Sequence, residues 1–153
     1  MGAEARIAEL KLELPPAPKP VATYVTATRH GDLLYVSGHG PLRPDGTMIT
    51  GRLGESLDLA GGQAAARQTG LAILATIRAH LGSLDKVARL IKTLGMVNAT
   101  PEFTDQPLVI NGFSELMAQV FGDDAGVGAR SAVGMGSLPM EIPVEIECIF
   151  EVA

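Results

Sequence analysis

Apolar residues recur along the chain at two different periods, and each change of period marks an element. Residues Ala3 to Leu12 have helical character, with Ile7 and Leu10 on one face, until "PPAPKP" (Pro15 to Pro20) stops the helix. Proline fixes φ and removes donors, so this stretch reads as an extended connector. "TYVTATRHGDLLYVSG" then carries two β-rich runs around His30-Gly31-Asp32, the pattern of a hairpin. "PDGT" marks a further turn, with a short strand through Met48 and Ile49. From Leu57 to Leu81 the period changes. Ala66, Gly70, Leu74, Ile77 and Leu81 recur at helical spacing, and Gly82 follows where a left-handed terminus is wanted.

"KVARLIKTLGMVNA" reads as a long strand, apolar on both faces from Leu90 to Val97, which predicts a central place in the sheet. Asp105 and Pro107 open a second helix with Val109, Phe113, Met117 and Val120 inward and Gly122 at its end. After the loop "GDDAGVG" come two strands and a turn, "GARSAVGMGSLPMEIPVEIECIFE". In the last strand Val144, Ile146, Cys148, Phe150 and Val152 share one face, while Glu145, Glu147, Ile149 and Glu151 share the other. The order predicts an α+β layer in which helices cover one face of a mixed sheet. Residues 1–20 read as an N-terminal helix and proline-rich connector, and residues 21–153 as a single domain.

Composition narrows the class of protein. With 46% apolar and 19% charged residues over 153 positions, the chain is expected to fold around a core. Aromatic residues are 4% and tryptophan is absent, while glycine numbers 18, so packing must rely on close backbone approach and aliphatic side chains. A net charge of -5, with the twelve basic residues scattered, speaks against a phosphate-binding surface. Cys148 is the one cysteine, which precludes an intramolecular disulfide and suggests a reducing, cytoplasmic compartment. The start "MGAEARIAEL" lacks an apolar signal core, and no apolar run approaches the roughly 18 residues of a membrane span.

Candidate chemistry is sparse. Arg130 shares its face with Ala132, Gly134 and Gly136, a nearly bare surface that would admit either a small ligand or a closely packed subunit. On alternation alone, the Glu145 face reads as solvated carboxylates. "VSGHGP" sets Ser37 and Gly38 at the end of a strand, where glycines either expose N–H groups to an anion or simply end the strand. His39 is a candidate base, but no Asp–His–Ser spacing accompanies it, and His30, His39 and His80 form no metal-ligand pattern. Cys148 falls on an apolar face and reads as a core residue. Asn111, inside a helix, implies exposure or a side-chain contact, and Tyr24 either packs on the first strand or closes over a pocket.

Taken together, "ARSAVGMGSLPMEIPVEIECI", "LYVSGHGP" and "INGFSEL" resemble the RidA (YjgF-like) family of small imine deaminases, in a longer branch linked with endoribonuclease L-PSP. The resemblance implies a chorismate-mutase-like mixed sheet with two main helices on one face, preceded here by the N-terminal helix. It implies a homotrimer with pockets between subunits, and hydrolysis of small 2-imino acids to 2-keto acids and ammonia without metal, flavin or pyridoxal cofactor. Arg130 matches the arginine that grips the substrate carboxylate, and Glu145 the water-orienting glutamate. Tyr24, Ser37, Gly38 and Asn111 match residues lining that pocket. Ala132 stands where the family often has cysteine, and His39 where it usually has glutamine. These departures keep a non-catalytic, anion-binding or regulatory trimer as the alternative. An endoribonuclease or translation inhibitor ranks lower, because the charge is acidic.

Overall fold

The computed structural model describes residues 1–153. A short helix α1 (Ala3–Glu9) precedes the hairpin β1 (Ala27–His30) and β2 (Leu33–His39), which turns at Gly31 with φ +60°. Tyr24, Val25 and Thr26 lie outside β1, although their composition suits a strand; Thr26 still accepts a backbone hydrogen bond from Ser37 at 3.0 Å. Helix α2 (Leu59–Leu81) starts two residues later than its periodicity predicts. The reason is Asp58, whose carboxylate accepts from the Gly61 N–H at 2.8 Å and so caps the helix. Gly82, at φ +82°, ends it as expected.

The rest of the chain is β3 (Val87–Asn98), α3 (Gln106–Ala125), β4 (Ala129–Met135) and β5 (Val144–Val152). Gly122 breaks the helical path of α3 with φ +89°, one turn before the helix closes at Gly126. The sheet order is β1-β2-β5-β3-β4. All neighbours are antiparallel except β3 and β4, which run parallel because α3 carries the chain back between them. This is a chorismate-mutase-like α+β fold with α2 and α3 over one face of a mixed sheet.

Register decides which side chains meet the helices. Val36, Cys148, Thr93 and Arg130 pair in one row across β2, β5, β3 and β4. The first three are almost fully buried, so this row faces the helices. Glu145, Met96 and Val133 pair in a second row, three residues further along β3 and β4 and therefore on the opposite face. That second face carries no helix. Tyr35 and Val133 are exposed on it, and Leu94, Met96 and Ile149 are half-buried. β3 is thus interior to the sheet, as its apolar run predicts, but only its Thr93-Gly95-Val97 face is covered within the chain.

Glycine and alanine bring the helices together. A Cβ on Gly112 of α3 would overlap the Gln63 carbonyl oxygen of α2, and one on Gly70 would lie 2.8 Å from Leu116 Cδ2. The two helices therefore touch nearly backbone to backbone, which suits a chain poor in large rings. Helix α1 joins the same core through Ala3 and Ile7. Leu10, expected beside Ile7, is instead exposed, because the helix stops at Glu9. Glu4 accepts from Arg78 Nε at 3.1 Å, Arg78 Nη2 at 2.5 Å and the Leu84 N–H at 2.9 Å. The Arg78 guanidinium holds the Glu4 carboxyl below its ordinary range, despite the opposing effect of burial.

Candidate functional site

Arg130 sits near the start of β4 and reaches towards α3. Its Nη1 donates to Asn111 Oδ1 at 2.8 Å and to Ser114 Oγ at 3.2 Å, and its Nη2 donates to the Pro107 carbonyl at 3.2 Å. Pro107 lies in the first turn of α3, where its carbonyl accepts from Arg130, and Asn111 and Ser114 are three residues apart on one face. The mid-helix asparagine is therefore explained by a side-chain contact. Ser114 was not expected; its i+3 spacing from Asn111 is the signal that would have found it. Thr93, Asn111, Ser114 and Arg130 line a cavity of about 390 Å³ beside the loop through Gly128.

The face shared by Arg130, Ala132 and Gly134 is less bare than the sequence suggests. A Cβ on Gly134 would lie 2.9 Å from Gln106 Nε2, so the start of α3 already covers it. Only Gly136 opens onto free space.

Glu145, Tyr24, Ser37 and Gly38 meet elsewhere, around a cavity of about 490 Å³. Ser37 and Gly38 lie at the end of their strand, as expected, with His39 the last residue of β2. They form an irregularity where the register with β5 shifts between Val36 and His39. Ser37 Oγ donates to the Val25 carbonyl at 2.6 Å, leaving its lone pairs free. Gly38 has a steric purpose: any Cβ there would overlap Glu145 Oε2. The missing side chain is what lets the carboxylate lie flat across β2. Tyr24, 43% exposed, stands at the rim together with Pro18 and Lys19 of the proline-rich connector. Nothing in the sequence pattern signalled that the connector reaches this cavity.

Burial, and after it the neighbouring Glu147 carboxylate, push the Glu145 pKa up from its ordinary value. No hydrogen bond opposes that shift. His39 is not an available base. Its Nδ1 donates to the Ser37 carbonyl at 2.6 Å and its Nε2 accepts from the Thr76 hydroxyl at 2.7 Å. Burial also pushes its pKa down, so it remains a neutral strut between β2 and α2. Cys148 is buried in the core, and desolvation pushes its thiol far up.

One chain therefore holds two separate clusters on opposite faces of its sheet: a fixed guanidinium beside α3, and an unpaired, partly desolvated carboxylate on the uncovered face. Such an arrangement, an arginine braced by a helix and an unpaired carboxylate on the two faces of one mixed sheet, defines a small two-layer α+β protein. The model of the family described as Endoribonuclease L-PSP matches residues 15–152, and the chain belongs to this YjgF/RidA family. It is 42% identical over 147 residues to Protein TCP17 of Trypanosoma cruzi, covering 96% of this chain and 92% of that one. A crystal structure of an Agrobacterium tumefaciens protein of unknown function is 46% identical, with a TM-score of 0.91. The match covers 99% of this chain, and so includes α1, and 92% of that one. RidA from an Antarctic Psychrobacter is 25% identical, with a TM-score of 0.63 over 89% of this chain and 94% of that one.

Proposed function

We propose that the protein is an enamine/imine deaminase that hydrolyses small 2-imino acids to 2-keto acids and ammonia. Its active sites form between the subunits of a cytoplasmic homotrimer. The observation that carries this reading is the separation of Arg130 and Glu145 onto opposite faces of one sheet. Only the Arg130 cluster of one chain set against the Glu145 cluster of another brings the two together. The helix-free sheet face, with Tyr35, Leu94 and Ile149 unburied, is the surface that assembly would cover.

In this reading Arg130 binds the substrate carboxylate. A planar guanidinium suits that group, and Asn111, Ser114 and the Pro107 carbonyl hold it in place before the substrate arrives. Fixing the carboxylate positions the C=N carbon, which lowers the barrier by several kcal/mol through proximity alone. Glu145 takes a proton from water as the oxygen bonds to that carbon. That proton passes to nitrogen to give a carbinolamine; Glu145 then carries the hydroxyl proton to the same nitrogen, the C–N bond breaks, and ammonia leaves as the carbonyl forms. A carboxylate in this role is worth about 10²–10⁴-fold in rate. Tyr24, Ser37 and the Gly38 backbone shape the floor and rim around the water. No step requires a cofactor.

The test is to generate iminopropionate in situ with an amino-acid oxidase and to follow release of pyruvate. The native protein should accelerate release and Arg130→Ala should not; equal acceleration by both, or none by either, removes the assignment.

A second reading, a non-catalytic trimer that binds small anions, is favoured by one feature: the Arg130 guanidinium is already engaged by three oxygens of its own chain. Calorimetry with pyruvate separates the two, since binding without imine turnover belongs to the second. The ribonuclease activity in the family's description finds little support in a chain of net charge -5.

A further inference from the structure

A third cavity, of about 280 Å³, lies at the far end of β4 from Arg130, where β3 and β4 end and β5 has not begun. Arg52, Ser56, Asn98, Ser137 and Glu141 line it, with Gly136 at its edge. Its chemistry is incomplete in a specific way. Arg52 Nη2 donates to the Ala99 carbonyl at 3.1 Å and the Gly136 carbonyl at 3.4 Å, but its Nε is buried with no acceptor. None of the chain's ion pairs includes Arg52. Asn98 is only 6% exposed, and its Oδ1 is buried with no donor. The amide orientation is not arbitrary. Its Nδ2 faces the Ile142 carbonyl at 3.4 Å, and turning the amide round would set oxygen against oxygen.

A buried donor without an acceptor and a buried acceptor without a donor, in one cavity, are each costly to leave unmade. A ligand that ends both shortages must carry an acceptor and a donor a few atoms apart. The charges of the lining refine this. Arg52 asks for an anion, while Glu55 and Glu141 add two carboxylates on the Asn98 side of the balance, so the lining as a whole is acidic. We propose that this cavity binds a small zwitterion, an α-amino acid. Its carboxylate accepts from Arg52 Nε, and its ammonium donates to Asn98 Oδ1 and a neighbouring glutamate. The volume accommodates a molecule the size of glycine or serine.

The wall of the cavity connects it to the Glu145 cluster. Leu138 and Glu141 line the amino-acid cavity, whereas Pro139, Met140 and Ile142 of the same turn line the cavity that holds Glu145. Met140 and Glu141 both adopt left-handed backbone, with φ +56° and +57°, which side chains other than glycine's rarely accept. The turn is thus a strained wall shared by the two cavities. This proposal is independent of the deaminase reading, because it concerns binding at residues distant from Arg130.

The experiment titrates the full chain with glycine and with L-serine, read by calorimetry and by amide chemical shifts, with acetate and methylammonium as single-charge probes. Saturable binding is expected for the amino acids, at least about tenfold tighter than for either single-charge probe. Shifts should centre on Asn98 and on residues Gly136 to Glu141. Arg52→Gln and Gly136→Leu should each weaken binding about tenfold or more, and Arg130→Ala should leave it unchanged. The Leu variant adds bulk at the edge of the cavity, where its Cβ meets no atom within 4 Å. It decides the matter if Arg52→Gln fails to fold. Absence of saturable amino-acid binding overturns the proposal. So does acetate binding as tightly as glycine, or binding that survives Gly136→Leu and vanishes in Arg130→Ala.

Discussion

Arg130 leans on three oxygens of α3, whereas Glu145, two strands away in the sheet and on its other face, lies against a glycine with no hydrogen bond to its carboxylate. The first cluster is immobile before any ligand arrives, because a helix supplies its acceptors in a fixed geometry. The second is chemically unsettled: desolvation and a neighbouring like charge raise the energy of the ionised carboxylate. Binding favours the first kind of arrangement and proton transfer the second. In the proposed deaminase the two tasks fall on different surfaces of the chain, and a second copy unites them.

The sharpest way to break this comparison is to distribute the two groups over different chains. Arg130→Ala and Glu145→Gln should each lower imine turnover about 100-fold or more. When the two variants are co-expressed in equal amounts, about a quarter of the sites receive both native residues if each site spans two chains. Recovery of that fraction of native activity is expected, and no recovery would return both groups to one chain. A smaller effect is expected from Asn111→Ala. It removes one of the two acceptors of Arg130 Nη1 without removing the charge, so KM should rise about tenfold while kcat changes less. Steady-state kinetics separates it from Glu145→Gln, which should act chiefly on kcat.

The raised Glu145 pKa sets the pH response. Turnover should fall as pH drops through that raised value, because the base is then protonated. Glu147→Gln removes the second cause of the shift, so the acid limb of the pH–rate profile should move to lower pH. The same shift has a stability consequence. A carboxylate whose folded pKa lies above its unfolded value favours folding while protonated, below the unfolded pKa, and that contribution is lost as pH rises through the folded pKa. Glu145→Gln should therefore melt slightly higher than the native chain at pH 7, while losing turnover. A lower melting temperature would mean that the carboxylate is structural.

Glu4 is the opposite case, and the effect expected is the smallest. Its folded pKa is lowered, chiefly by Arg78, so its contribution is present above the unfolded value and disappears as pH falls through the folded one. The pair is partly exposed, so Glu4→Ala should cost about 1 kcal/mol at pH 7 and nearly nothing in strong acid, measured by urea unfolding.

Some of this was legible in the residues themselves. The period of two fixes the buried face of β5 from Val144 to Val152, and the helical spacing to Leu81 with Gly82 fixes α2 and its end. Local patterns suffice there because hydrogen-bond geometry repeats every few residues. Arg130, Glu145, Asn111, Ser37, Gly38 and Tyr24 were picked out by resemblance, not by alternation, which made the glutamates ordinary surface charge. Ser114 was missed, although its spacing from Asn111 contained the clue. Arg52 and Asn98 carried no local signal: each looks like any polar residue near a turn.

What the sequence determined alone, then, is the order of the main helices and strands and the buried faces of α2 and β5. Pairing register and helix placement decided the remainder. They set Arg130 and Glu145 on opposite faces, turned the Asn111 amide towards a guanidinium 19 residues away, and occupied both nitrogens of His39. They also closed a cavity around an orphan donor and an orphan acceptor 46 positions apart in the chain, at Arg52 and Asn98. Contacts between residues so distant in sequence depend on how the whole chain packs, and no local period encodes them.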